Sequence, residues 1–162
     1  MIKLEKPDID VESIITDCTA NLTKQPILTH INASKTTIVS KSEKYNELAE
    51  KGQLGTLETH TMIEGGATKD DMVWLYDNKF VADGGRKYYD KIKAIPKYSK
   101  CPFCGVGIVS TLDHYLPKTK YPTYALTPVN LIACCADCNK NKKSEISETR
   151  NNKFIHPYYD DF

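Results

Sequence analysis

Residues 101–143 read CPFCGVGIVSTLDHYLPKTKYPTYALTPVNLIACCADCNKNKK, and the fold is decided there. Cys101 and Cys104 form one Cys-x-x-Cys pair, and Cys135 and Cys138 form a second, 31 positions beyond Cys104. Two such pairs bring four thiolates to one tetrahedral centre, a donor set that suits zinc and leaves no open coordination position. Zinc held there would be structural, supplying folding energy to a unit too small to bury a large core. A redox dithiol and a pair of disulfides are the rival readings. Zinc outranks both, because matched pairs in a chain without secretory features more often hold metal. Cys134 adjoins Cys135 and, on a strand, would point the opposite way as a buried spare thiol. Cys18 stands alone and carries no signal.

Between the cysteine pairs the pattern predicts a compact ββα unit. The Cys101–Gly105 turn leads into Val106–Leu112, whose β-branched content predicts a strand. A loop punctuated by Pro117, Pro122 and Pro128 follows. Leu131–Cys134 reads as the second strand, and Ala136 onward as a helix rich in lysine. The polar residues that invite attention sit at the joints of this unit: Asp113-His114, Asn130, and Cys138-Asn139-Lys140. Taken singly, an Asp-His pair is usually a turn feature and an Asn before a strand a turn former. Their joint placement between two cysteine knuckles changes that weighting.

This stretch resembles the HNH, or ββα-metal, endonucleases in the form whose zinc knuckles wrap around the motif. Asp-His ends the first strand, Asn-Leu precedes the second, and Cys-x-x-Cys-Asn-x-x-Lys opens the helix. His114, Asn130 and Asn139 fill the three lettered positions, the last with Asn in place of His. The resemblance covers about residues 100–143, and its motifs agree in type and order. It implies an α+β fold and a metal-dependent hydrolysis of nucleic-acid phosphodiesters, with DNA as the expected substrate. It also implies that small members of bacterial restriction and anti-phage systems, working beside a larger ATPase, are the nearest functional setting.

Chemistry accounts for each position. Phosphodiester hydrolysis needs an activated water and a cation that neutralises charge developing on the phosphorane. His114 is the candidate general base, since imidazole titrates near neutrality. Asp113 and Asn139 offer the oxygen ligands that Mg²⁺ or Mn²⁺ prefers. By the resemblance, Asn130 is no ligand but ties the loop down and holds His114. Lys118, Lys140, Lys142 and Lys143 are expected at the phosphate backbone. His156, in His156-Pro-Tyr-Tyr-Asp160, is expected to pack across the unit, with a direct role the lesser reading. Two other functions fit the same residues. One is a catalytically inactive zinc-ribbon module that holds DNA or RNA, and the other a protein–protein adaptor with a purely structural zinc. The presence of Asp113, His114 and Asn139 together argues against the first.

The rest of the chain of 162 residues sets the context. The net charge of +1 is uneven: residues 84–143 carry 11 Lys/Arg against 3 Asp/Glu, and residues 1–83 carry 9 against 14. A basic excess that coincides with the cysteines suits a polyanionic partner, although a solvated lysine face has the same composition. No apolar run is long enough to span a membrane, and Met1–Asp8 lacks the core of a signal peptide, so a cytoplasmic protein without membrane association is expected. Residues 1–97 read as a helical region suited to docking a partner such as that ATPase, and 98–162 as the zinc-stapled unit with its tail. Helices are expected after the acidic start Asp8–Glu12, over Ser34–Lys51, from a Thr68 cap to Gly84-Gly85, and over Arg86–Ile95 before Pro96. His30 and His60 lie in this half without visible chemistry.

Overall fold

The computed structural model describes residues 1–142 and 155–161. Its architecture is α+β: helices packed on a two-stranded antiparallel sheet. Helix α1 (Val11–Thr19) starts where Asp10 accepts a hydrogen bond from the Ser13 backbone N–H at 2.8 Å. Helix α2 (Ile27–Glu50) begins well before the expected Ser34, directly after Pro26, and ends ahead of Gly52 at φ 65°. Thr68 and Asp71 form the expected capping box at the start of α3 (Lys69–Leu75), which runs on through a π-type turn over Tyr76–Phe80. Helix α4 (Arg86–Lys93) stops short of Pro96.

Strand β1 is Thr111–His114, later and shorter than the Val106–Leu112 read from composition. Residues 106–109 are held by the cysteine turn instead. Gly107 N–H donates to Cys104 Sγ, Cys101 N–H donates to the Gly107 carbonyl, and a single bridge joins Lys100 to Ile108. Strand β2 is Leu131–Cys134 as expected, paired so that Thr111 faces Cys134 and His114 faces Leu131. Helix α5 (Ala136–Lys142) follows at once.

Alternation along the strands assigns their faces. Leu112, Leu131 and Ala133 join one core with Ile14, Ile31, Ile38, Met72, Leu75, Phe80 and Ile92. The expected division near residue 97 is therefore not a division of packing, because this core includes side chains from both sides of it. Ile132, on the other face, packs with Leu4 and Tyr158, which brings the chain's start and its tail together. Leu4 N–H donates to the Pro157 carbonyl, and the Tyr158 hydroxyl donates to the Leu131 carbonyl. No helix among the described residues is long and apolar enough to cross a membrane.

One close approach is decisive for the helical layer. The turn before α3 presses on α2, where the Ala67 N–H donates to the buried Ser34 hydroxyl. Gly65 lies in that turn at φ +104°, and a Cβ there would sit 2.3 Å from the Ala33 carbonyl oxygen. Gly65→Ala should therefore destabilise the fold by roughly 2–4 kcal/mol through strain and backbone overlap. Chemical denaturation measures this, and a loss below about 0.5 kcal/mol would mean the turn shifts freely.

Candidate metal centre and adjoining polar cluster

Cys101, Cys104, Cys135 and Cys138 come together, their sulfurs all within 4.8 Å of one another. Cys104 and Cys135 sulfurs are 3.9 Å apart. A zinc–sulfur bond of ~2.3 Å implies a tetrahedral edge of about 3.8 Å, so the donor set fits a metal such as zinc. The turn geometry explains how the sequence builds it. Gly105 at φ 69° turns the chain back, and amides of Gly107 and Val106 hold the Cys104 thiol down at about 6. Cys138 is pushed the other way, by burial and by the neighbouring thiols. Cys134 is buried outside the cluster, and burial raises its thiol to about 12, as suits a spare core thiol.

At the far end of β1, Asp113 and His114 point to opposite faces. His114 turns toward the helical core, where its Nε2 donates to the Ala125 carbonyl at 2.9 Å and Tyr76 packs edge-on at 4.5 Å between ring centres. Nδ1 is thereby left as the acceptor nitrogen. Burial, and next the positive charge of Lys118, lower the imidazole to about 3, so it stays neutral. Asp113 turns toward α5, and its carboxylate accepts a hydrogen bond from the Lys142 ammonium at 2.6 Å. Burial raises Asp113 above the ordinary carboxylate value, with Lys142 opposing the shift.

Asn130 is fully buried, and all its side-chain polar capacity is used. Oδ1 accepts from Leu116 N–H at 2.8 Å and from the Tyr45 hydroxyl at 3.0 Å. Nδ2 donates to the carbonyls of Leu116 at 3.0 Å and Tyr124 at 3.1 Å. Asn139 is half-buried in α5, its backbone N–H donating to the Cys135 carbonyl at 3.1 Å. Lys118 lies with its ammonium 4.9 Å from the Tyr76 ring centre, and Lys140 is exposed. Lys142, expected at the phosphate backbone, is instead buried against Asp113. Lys143 lies outside the described residues.

His156 packs across the unit as the sequence suggested, buried among Tyr45, Tyr115, Tyr158 and Tyr159. Its Nε2 meets the Tyr45 hydroxyl at 3.2 Å, and burial holds it near 3. Sequence reasoning missed Tyr45, Tyr76 and His60. His60 Nε2 contacts the Thr123 hydroxyl at 2.6 Å and pins the proline loop, while His30 pairs with Asp71 at 2.8 Å. A signal for Tyr45 existed. The buried stripe of α2 runs Ile31, Ser34, Ile38, Ser42, Tyr45, and small polar residues within such a stripe mark a face that meets polar partners.

Two outcomes follow for the molecule in solution. Zinc should be present at about one per chain, and Cys138→Ser should unfold the carboxyl-terminal unit. Gly107→Ala would place a Cβ 2.8 Å from Cys135 Sγ and should weaken metal retention. Elemental analysis and thermal melting test both; a zinc-free protein of unchanged stability would remove the staple. The second outcome concerns acid. His114 and His156 stand near 3 when folded against 6.5 ordinarily. Below about pH 6.5 only the unfolded chain gains these protons, so stability is full above that pH and is lost as pH falls toward 3. The urea midpoint should fall between about pH 7 and pH 5 with a slope approaching two protons. A constant midpoint would mean that both rings are hydrated.

The chain matches no protein-family model, and no solved structure matches it. It is similar to the protein named ea31 of Escherichia phage lambda, with 31% identity over 170 aligned positions. The alignment takes in 99% of this chain and 57% of that protein, so the chain spans somewhat over half the length of its relative.

Proposed function

We propose that this chain is a metal-dependent HNH endonuclease that hydrolyses nucleic-acid phosphodiesters, with DNA the favoured substrate. The observation that carries the reading is His114 at the end of β1, its Nε2 committed to the Ala125 carbonyl and its Nδ1 left as acceptor. A neutral imidazole of fixed tautomer is what a general base requires. Its low basicity in the bare protein comes from burial and from Lys118, and a docked phosphate would offset the second cause. Asn130 holds the loop that carries this carbonyl, which is the positioning role the resemblance implies. Lys118, beside Tyr76, and the exposed Lys140 would meet phosphates.

Asp113 and Asn139 supply the oxygen donors that would hold Mg²⁺ or Mn²⁺, and the bound ion would stabilise charge on the phosphorane and the leaving oxygen. The four cysteines hold a separate, structural zinc. The resemblance also suggests an anti-phage setting and an ATPase partner. A relative in a phage adds nothing to either. One observation favours the second reading, an inactive zinc-knuckle binding module: Asp113 is already neutralised by Lys142.

Cleavage of plasmid DNA and of RNA in Mg²⁺ or Mn²⁺ separates the two. His114→Ala should lower the rate by ~10²–10⁴ while nucleic-acid affinity and zinc content hold. Brief EDTA treatment should stop cleavage reversibly before the thiolate-bound zinc is lost. Binding without cleavage in wild type would establish the inactive module, and full activity of a folded His114→Ala variant would sink the base assignment.

A further inference from the structure

Asp113 is asked to hold a divalent cation, yet its carboxylate already faces a cation of the protein's own. The Lys142 ammonium donates to Asp113 Oδ2 at 2.6 Å, to the His114 carbonyl at 2.8 Å and to the Tyr115 carbonyl at 3.4 Å. The Lys142 and Asp113 side chains are only 7% and 12% exposed, so this is no solvated surface pair. Three donors meet three oxygens, and the lysine is fully satisfied. A carboxylate and two backbone carbonyls are also the donor class that hard divalent ions take.

We propose that Lys142 is a tethered counterion of Asp113, displaced when a divalent cation binds and thereby released toward substrate phosphate. The inference rests on the reading of Asp113 as a metal ligand. A buried carboxylate without a cation would be costly, so the metal-free fold needs Lys142 where it lies. Once a divalent ion reaches the same carboxylate, two cations within a few ångströms repel strongly in a partly buried site. The lysine yields, because its flexible stem can rotate outward while the backbone of α5 stays in place. Its release would supply phosphate-binding charge only in the metal-loaded state. The sequence expectation for Lys142 then describes one state and the structure the other.

Mn²⁺ binding to the full-length, zinc-retaining protein tests this directly, by titration calorimetry or by the spin-resonance signal of the free ion. Lys142→Met and Lys142→Gln should bind Mn²⁺ about tenfold or more tightly than wild type, because the competing charge is gone. Lys142→Arg should bind as wild type does, and Asp113→Asn should abolish the site. The metal-free neutral variants should melt below wild type, and Mn²⁺ should raise their melting temperatures more. In wild type, reductive methylation read by peptide mass spectrometry should find Lys142 protected without metal and reactive with Mn²⁺. That measurement needs no variant. Unchanged or weaker Mn²⁺ affinity in both neutral variants, or labelling indifferent to Mn²⁺, would overturn the counterion while leaving a cleaving wild type as a nuclease. Absence of any Asp113-dependent Mn²⁺ binding, together with no cleavage, would overturn both.

Discussion

The polar side of this molecule is organised by the side chain of Asn130. It is fully buried, and its four hydrogen bonds reach Leu116 twice, Tyr124 and, from α2, Tyr45. The segment between the strands is too rich in proline to form a ladder of its own, so its backbone groups need partners from elsewhere. Asn130 supplies them at both ends of the loop and links the result to the long helix. Ala125, whose carbonyl fixes His114, lies within the segment so held. An amide suits this position better than a carboxylate, because it offers donors and acceptors together without burying a charge.

The thiolate cluster governs the other end of the unit. Cys135 and Cys138 bracket the start of α5, and Cys101 and Cys104 bracket the turn ahead of β1. A metal joining them would fix the angle between strand and helix, which a two-stranded sheet of four residues per strand could not do alone. That angle sets where Asn139 and Lys142 stand relative to Asp113. A metal held by the four cysteines would therefore act on the polar cluster through geometry, with all four positions filled by sulfur.

Local signals carried the reading wherever a residue's partners are near in sequence. The helix after the acidic start Asp8–Glu12, the Thr68 cap, strand β2 and the cysteine pairs are all of this kind. The extent of β1 was not legible, because Val106–Ser110 have strand composition, yet Gly107 bonds the cysteine turn and Val109 N–H donates to the Ser99 carbonyl rather than to β2. Nor was the inward turn of Lys142, since a lysine in a lysine-rich helix looks like a solvent-facing one. Its orientation follows from Asp113, 29 positions away, whose burial no local pattern reveals. Tyr76 and His60 were missed for the same reason: their partners His114 and Thr123 lie across the fold.

These long-range contacts also change what the helical half is for. Residues 1–83 carry no recognisable motif, and their acidic balance invites the reading of a region that docks a partner. In the folded chain Tyr76 packs on His114, His60 pins the proline loop, and Tyr45 joins Asn130 to His156. The helices thus form the walls that keep both buried imidazoles out of water and neutral. Beside these rings Asp113 pairs with Lys142, and the Lys118 ammonium stands over the Tyr76 ring. A partner for the helical half would have to bind its outer face, since its inner face is already spent on the polar cluster.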